Sequence, residues 1–360
     1  MSSLAIIKDD RYLEHNAGDH HPESPNRLRV IHDLIAKEFG SLPLIQPRLA
    51  TEDELAAVHD PFYIQAIANT EGQAFSRLDA DTGLSARTYE IARLAAGGLL
   101  NAVDALFGKP PLPSRERAGV RGNSATGNPN SVFAFVRPPG HHAEPQRGMG
   151  FCIFNNIAVA AEYAIEKHGL RRILIVDWDL HHGNGTQRSF YDRRDVLFFS
   201  SHQFPYYPGT GDFDEVGSGK GEGFTVNAPF PAGFGDAEYL AVYDRILRPI
   251  AQEYKPELVL VSAGFDPYIK DPLGSMQVTG QGFGTLAALV RDIAEKTCDG
   301  KVLITLEGGY NPDGLREGVR EVLKAFQGPH KSVPSHTAPT AERVIQTIIS
   351  HQKKYWKNLE

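Results

Sequence analysis

The run Ile173-Leu-Ile-Val-Asp177-Trp-Asp-Leu-His-His182 places four apolar residues directly before a series of acidic and histidine side chains. An uninterrupted apolar run is typical of a strand that is buried on both faces of a parallel sheet. Four other segments repeat this arrangement, each a short apolar run that leads at once into a polar loop. These segments are Ser131–Val136, Val196–Phe199, Leu258–Val261 and Val302–Leu306.

Helix-like segments alternate with these strands, which indicates an α/β fold with a mainly parallel sheet. The predicted helices are Ser85–Phe107, Asn155–His168, Asp236–Glu253, Gln281–Lys296 and Asp313–Phe326. No change in composition divides the chain, so we expect residues 1–360 to form one domain. Residues 108–130, rich in Pro, Gly, Ser and Arg, are predicted to be an exposed insertion, and residues 341–357 a terminal amphipathic helix.

The composition argues against several classes of protein. The formal net charge is −7, which is unlike the basic surface of a nucleic-acid-binding protein. Only two cysteines occur, too few for a disulfide framework or a thiolate metal cage, so a reducing cytoplasmic location is expected. We expect no signal peptide, and no apolar run approaches the about 20 residues of a membrane span, so no membrane association is predicted.

The polar loops after the strands carry candidate metal ligands. Asp179 and His181 are two residues apart at a strand end, so both side chains point to the same side and can reach one ion. Asp266 follows another predicted strand and could supply a third ligand, because the carboxyl ends of parallel strands share one edge. Three nitrogen and oxygen ligands indicate a catalytic metal site that suits zinc and, less well, iron, cobalt or manganese. The alternative is that Asp179 and His181 form a buried hydrogen-bonded pair.

The adjacent residues His141 and His142 follow a Pro-Pro-Gly segment at the end of a predicted strand. One imidazole can take a proton from an attacking water, and the same or the second can give it to a departing amine. Asp177 could orient one ring through its N–H, and Asn184 is a possible neutral partner for the other. The alternative is a pair of surface histidines.

Tyr310 follows Glu307-Gly-Gly after the last predicted strand. The glycines give the backbone freedom to bring the phenol over the site, where its hydroxyl would donate to a developing oxyanion. The alternative is a tyrosine that packs its ring and exposes its hydroxyl.

Asp177 and Asp179 are close enough to repel each other, and one divalent ion would not fully compensate two such charges. A monovalent cation behind the site would help. Its ligands would be backbone carbonyls near Asp177–His181 and the Ser200 hydroxyl.

Six motifs occur together in a fixed order. They are Arg137-Pro-Pro-Gly-His-His142, Gly148-Met-Gly-Phe-Cys-Ile-Phe-Asn-Asn156, Asp177-Trp-Asp-Leu-His-His-Gly-Asn-Gly-Thr186, Pro208-Gly-Thr-Gly-Asp212, Ala263-Gly-Phe-Asp266 and Glu307-Gly-Gly-Tyr310. In order and spacing they resemble the zinc-dependent histone deacetylase family, whose superfamily includes bacterial acetylpolyamine amidohydrolases and acetoin-utilisation proteins. The resemblance extends from about Asp19 to about Arg320.

This resemblance implies the arginase/deacetylase fold, a three-layer α/β domain with a mainly parallel sheet of eight strands. Implied at the reaction centre are Asp179, His181 and Asp266 for one zinc ion, His141, His142 and Asp177 for acid–base catalysis, and Tyr310 for the oxyanion. One or two structural potassium sites are implied, formed by Asp177, Asp179, His181 and Ser200, and by Phe190, Arg193, Val196 and Phe224. The implied substrate-binding residues are Phe151 and Tyr207 in the tunnel walls, Gly150 beside them, Leu273 at the rim and Arg27 in an internal cavity.

Two positions depart from parts of the family pattern. Asn184 stands where class I members usually have Asp, and is class II-like. Leu273 is apolar where a polyamine-selective relative can carry a glutamate, which weakens a strictly polyamine-directed function without excluding one.

The predicted function is therefore removal of acetyl or related acyl groups from N-acylated amines such as acetyl-lysine, with release of acetate and sensitivity to hydroxamates. One alternative is an acetylpolyamine amidohydrolase. A binuclear ureohydrolase or an inactive acyl-amine binding protein is less favoured. The physiological substrate and the oligomeric state stay open.

Overall fold

A computed structural model describes residues 3–109, 128–328, 335 and 337–359. The predicted insertion falls largely at residues 110–127, which lie outside the described residues. The strands of the described chain are β1 (Leu4–Ile7), β2 (Phe75–Arg77), β3 (Gly83–Ser85), β4 (Ser131–Ala134), β5 (Ile173–Asp177), β6 (Val196–Gln203), β7 (Thr225–Phe230), β8 (Leu258–Ala263) and β9 (Val302–Leu306).

Seven of these strands form one parallel sheet in the order β1-β4-β9-β8-β5-β6-β7, and β2 pairs with β3 in a short antiparallel hairpin. The parallel α/β fold is confirmed. The main sheet has seven strands among the described residues, whereas eight were expected. All five predicted strands are present. The edge strand β7 was missed because Asn227 and Pro229 interrupt its apolar run.

The end of strand β6 differs from the prediction in a way that affects the site. The strand continues to Gln203, so Ser200 and His202 lie within it rather than in the loop that follows. Ser200 pairs in register with Asp177, the last residue of β5.

Four of the predicted helices are present within three residues of the predicted bounds, the predicted helix Asp236–Glu253 is divided, and the described chain has several further helices. The helices of the described chain are α1 (Pro25–Glu38), α2 (Glu52–Ala56), α3 (Pro61–Ala68), α4 (Thr88–Leu106), α5 (Asn156–His168), α6 (Asn184–Phe190), α7 (Asp236–Val242), α8 (Arg248–Tyr254), α9 (Gly280–Thr297), α10 (Pro312–Gln327) and α11 (Glu342–Gln352). A π-helical turn at Tyr243–Leu247 separates α7 from α8. The terminal helix ends at Gln352, short of the predicted residue 357.

Side-chain caps start two helices directly after polar loops of the site. Asn155 accepts a hydrogen bond from Ala158 N at 3.0 Å at the start of α5. Asn311 accepts from Asp313 N and Gly314 N at the start of α10, where Pro312 occupies the first helical position. Such caps satisfy N–H groups that the helix leaves free, and they fix the path of the preceding loop.

The sheet is covered on both faces, because every residue of its seven strands is buried. Helices α4 and α5 pack against each other, with α4 on β4 and β9 and α5 on β8, while α9, α10 and α1 form a second group. Among the described residues, no helix is long and apolar enough to cross a membrane. The carboxyl ends of the adjacent strands β4, β9, β8 and β5 therefore form one continuous rim.

Candidate active site

Three predicted metal ligands meet at this rim. Asp179 and His181 follow β5, and Asp266 follows β8, its neighbour in the sheet. Their ligand atoms all lie within 4.8 Å of one another. His181 Nδ1 is 3.2 Å from Asp179 Oδ1 and 3.2 Å from Asp266 Oδ2. The arrangement brings one imidazole nitrogen between two carboxylate oxygens.

One of the two carboxylates, that of Asp266, is incompletely satisfied by the protein alone. Asp266 Oδ2 is buried and makes no hydrogen bond, although His181 Nδ1 lies close to it. Burial and the nearby Asp179 carboxylate raise the pKa of Asp266 to about 7. A divalent cation would compensate both charges and occupy the free oxygen. Two carboxylates and one imidazole, with room for a further ligand, fit a catalytic zinc ion.

The two adjacent histidines lie beside this metal position, and each ring has a different partner. His141 Nδ1 is 3.0 Å from Asp177 Oδ2, and its Nε2 is 3.7 Å from Asp179 Oδ1. His142 Nδ1 is 2.7 Å from Asn184 Oδ1. The ring centroids are 4.0 Å apart, and both side chains are buried. The structure thus excludes the alternative of two surface histidines.

These partners give the two imidazoles opposite shifts. Burial alone would lower the pKa of His141, but the carboxylates of Asp179 and Asp177 raise it to about 10. Burial and the neighbouring His141 hold the pKa of His142 well below its usual value. The pKa values of the two adjacent imidazoles are therefore shifted in opposite directions, a separation that is typical of acid–base pairs.

Tyr310 lines the same pocket and is held from several sides. Its ring centroid is 5.8 Å from that of Phe151, in an edge-to-face arrangement, and Arg27 Cζ lies over the ring at 5.0 Å from the centroid. Its backbone N–H donates to Asp271 Oδ2 at 2.7 Å. Burial raises the pKa of the Tyr310 phenol well above its usual value, so the hydroxyl keeps its proton and can act as a donor.

The pocket contains most of the predicted substrate-binding residues. Its lining is Asp81, Pro139, His141, His142, Gly150, Phe151, His181, Tyr206, Tyr207, Leu273, Gly308 and Tyr310. Gly150 is needed for close approach, because a Cβ there would lie 2.5 Å from His142 Cδ2 and its φ is +55°. Arg27 is not part of this lining, and its Nε donates to Gly309 O, next to Tyr310, at 2.6 Å.

Comparison with known proteins gives the family. A model of the histone deacetylase domain matches residues 21–326. The chain belongs to the histone deacetylase family. It is similar to the polyamine deacetylase HDAC10 of Homo sapiens, with 40% identity over 378 residues that cover 100% of this chain and 52% of the relative.

The chain is also 39% identical over 313 residues to a probable deacetylase of Archaeoglobus fulgidus. The match covers 86% of this chain and 82% of the relative. Among solved structures, the HD domain of HDA15 matches with a TM-score of 0.88 and 36% identity, covering 99% of this chain and 96% of that domain. Both the fold and the hydrolytic deacetylase class predicted from the sequence are confirmed by these matches.

Some of the residues expected around potassium contact one another, because Ser200 pairs in register with Asp177 and His181 N donates to Asp179 Oδ1 at 2.9 Å. Ser200 Oγ is 2.9 Å from His202 Nδ1, and the Asp177 carbonyl accepts from Ser201 Oγ at 3.4 Å. In the second group, Phe190 ends α6 and Val196 begins β6. The Phe190 and Phe224 carbonyls accept backbone bonds from Arg193 N at 3.1 Å and from Phe198 N at 2.9 Å, respectively.

Sequence reasoning missed two residues of the deacetylase pocket, Asp81 and Tyr206. Tyr206 stacks on His181 at 5.7 Å between centroids, and its hydroxyl donates to Leu273 O at 2.9 Å. Its position next to Tyr207 was the available signal. Nothing in the sequence around Asp81 pointed to the pocket.

A third residue, Glu307, was part of a quoted motif but had no predicted role. Its buried carboxylate accepts from Gly140 N at 2.7 Å, from His141 N at 3.2 Å and from Ser262 Oγ at 3.1 Å. It therefore ties the loop of the histidine pair to strands β8 and β9. With His141 and Cys152 it also forms a second group of potential metal donors among the described residues.

Proposed function

We propose that this deacetylase uses one zinc ion, held by Asp179, His181 and Asp266, to hydrolyse N-acetyl amides of linear amines. The observation that carries the proposal is the meeting of these three donors within 4.8 Å of one another, with His181 lining the same pocket as the two adjacent imidazoles. When bound, zinc polarises an acyl carbonyl and lowers the pKa of water.

The chain's own residues handle the protons. Neutral His142, held by Asn184, accepts the proton of the attacking water. Charged His141, held by Asp177, lies 4.0 Å away between centroids and stabilises negative charge as it develops. Either imidazolium can then protonate the departing amine, which leaves acetate and a free amine. Tyr310 donates its hydroxyl proton to the oxyanion in a hydrogen bond.

The pocket walls favour a linear, flexible amine stem such as that of lysine. Phe151 and Tyr207 are aromatic residues of its lining, and Leu273 lies with them. A second candidate substrate is an acetylpolyamine, favoured by the Asp81 carboxylate in the lining, which could pair with a distant ammonium. The polyamine activity named for the human relative is consistent with this candidate. Hydroxamates should inhibit with either substrate, because they chelate zinc.

We also propose potassium in one or two structural sites and a reducing, cytoplasmic location. Potassium would offset the repulsion between Asp177 and Asp179, and loss of turnover in potassium-free buffer is the expected result. The location is supported by Cys152 and Cys298, which are both free and buried. No direct nucleic-acid binding is proposed.

The test of the zinc assignment is a comparison of Asp266→Asn with the wild type. The variant keeps the size of the side chain but removes one anionic ligand, so bound zinc and acetate release should fall together. A variant that retains turnover after losing its zinc would overturn the assignment.

A further inference from the structure

Asn184 bonds to His142 through an amide, which has one oxygen and one nitrogen and must therefore point the correct way round. Asn184 Oδ1 lies 2.7 Å from His142 Nδ1. On its other side, Asn184 Nδ2 donates to Glu144 Oε1 at 2.9 Å and to Met149 Sδ at 3.5 Å. The amide thus bridges a pocket imidazole and a carboxylate outside the pocket lining.

The Glu144 carboxylate determines which way the Asn184 amide points. An ionised carboxylate only accepts hydrogen bonds, so the amide must turn its NH₂ group to Glu144. Its oxygen is then the atom that faces His142. In the reverse orientation, the Asn184 oxygen would face the Glu144 carboxylate. Neither group could then donate a hydrogen bond to the other.

The orientation of the amide fixes the tautomer of His142. An amide oxygen accepts but cannot donate, so His142 must carry its proton on Nδ1. The neutral ring then has its lone pair on Nε2, the atom available to take a proton in the pocket. If the amide could rotate freely, part of the population would present NH₂ to Nδ1 and leave the proton on Nε2, where the ring cannot act as a base.

Glu144 is itself held in place. Arg147 Nε and Nη2 donate to Glu144 Oε2 and Oε1 at 3.2 and 3.1 Å. The Glu144 carbonyl accepts from His59 Nδ1 at 3.1 Å, and its N–H donates to Arg147 O at 2.9 Å. The side chain is 24% exposed, so it lies at the boundary between the site and solvent.

We propose that Glu144 is a positioning residue for deacetylation, which fixes the Asn184 amide and through it the reactive tautomer of His142. The inference rests on the proposed role of His142 as the base. It also explains why an asparagine at position 184 needs a neighbouring carboxylate to orient its amide. A carboxylate there would have two equivalent oxygens and would hold the Nδ1–H tautomer without Glu144.

The first test compares Glu144→Ala, Glu144→Gln and the control Glu90→Ala by steady-state kinetics on the zinc-loaded protein. Loss of an outer partner of this kind lowers activity about tenfold or more, and we expect it in kcat with little change in KM. Glu144→Gln should recover most of kcat, since its amide oxygen can still accept from Asn184. Glu90 forms a similar pair with Arg87 three residues away and is 26% exposed, but lies outside the pocket lining, so its removal should leave kcat unchanged.

The second test repeats the Glu144→Ala change in an Asn184→Asp background. Two carboxylates would then face each other, so removing Glu144 should leave kcat unchanged or raise it, the opposite of its effect beside asparagine. An equal loss of kcat in both backgrounds would indicate a merely structural role and would overturn the proposal. So would wild-type kcat in Glu144→Ala.

A His142→Ala variant separates failure of this inference from failure of the proposed function. If His142→Ala keeps normal turnover, the proposed base is wrong, and the inference fails with it. If His142→Ala is inactive and Glu144→Ala is normal, only the role of Glu144 is wrong. Melting temperatures and zinc content of each variant show whether the fold is retained. If Glu144→Ala does not fold, the kcat of Glu144→Gln and the comparison in the Asn184→Asp background still test the role of Glu144.

Discussion

Gly308 lies where any side chain would collide with the proposed metal ligands. A Cβ at this position would be 2.2 Å from Asp266 Oδ2 and 2.6 Å from Asp179 Oδ2. Because Cβ contacts below 3.0 Å are essentially never found, one of the atoms in the closer contact must move by about 0.8 Å. Zinc–ligand distances tolerate only about 0.2 Å. We therefore expect Gly308→Ala to lower zinc affinity by about tenfold to a hundredfold, which corresponds to about 1.4 to 2.7 kcal/mol of binding free energy.

The assay is zinc binding by competition with a chelator, with acetate release measured in parallel. Gly40→Ala is the matched control, because the same methyl group there would meet only backbone oxygens at 3.5 and 3.9 Å. Adding excess zinc should restore part of the activity of Gly308→Ala, since the defect lies in binding. Wild-type zinc affinity in Gly308→Ala would refute the placement of the metal between Asp179 and Asp266.

Three further predictions concern the oxyanion donor, the rim and a buried ion pair. Tyr310→Phe should lower kcat by about 10²–10³ with zinc content unchanged, because one oxyanion donor is lost; stopped-time acetate assays and metal analysis check both. Leu273→Glu should raise the kcat/KM of acetylspermidine relative to an acetyl-lysine peptide by about threefold to tenfold, since a rim carboxylate attracts a second ammonium. Glu23→Gln should destabilise the fold by about 3–5 kcal/mol in denaturant titrations at pH 7, because it leaves the fully buried Arg137 without its carboxylate partner. Arg137 lowers the pKa of Glu23 from its ordinary 4.5 to about 2 despite burial, so the difference from wild type should be full above about pH 4.5 and shrink as the pH falls towards 2. The exposed pair of Glu38 and Arg320 is the control, and Glu38→Gln should leave stability nearly unchanged.

The meeting of Asp179, His181 and Asp266 could be predicted from the sequence because each of them follows the end of a strand. Two-residue spacing places Asp179 and His181 on one side, and parallel pairing of β5 with β8 brings Asp266 to them. Buried strands are easy to recognise, since they read as continuous apolar runs. The partners Asp177 and Asn184 were found for the same reason, since they flank the loop of Asp179 and His181 at the end of β5 and the start of α6.

Residues on loops were harder to predict, because tertiary contacts set the path of a loop. Asp81 is held by its neighbours, with Asp79 Oδ1 accepting from Thr82 N at 2.7 Å and Thr82 Oγ1 accepting from Phe151 N at 3.2 Å. The second of these bonds joins residues 69 positions apart, and no local pattern reports it. Glu144 was missed likewise, because its contact with Asn184 spans 40 positions.

The break in the predicted helix Asp236–Glu253 had a local signal that the periodicity did not use. Pro249 has no N–H to donate, and its ring conflicts with the carbonyl four residues earlier. The π-helical turn at Tyr243–Leu247 precedes it and accommodates this change. A 3.6-residue pattern continues through such a turn with little disturbance, so the apolar spacing indicated one uninterrupted helix.

The most direct test of the central claim is a zinc titration of chelator-stripped protein, followed by acetate release from an acetyl-lysine peptide and from acetylspermidine. We predict that turnover of at least one substrate rises until one zinc ion is bound per chain, and that a hydroxamate abolishes it. Turnover that survives complete removal of the metal, or that requires two divalent ions per chain, would contradict a single zinc held by Asp179, His181 and Asp266.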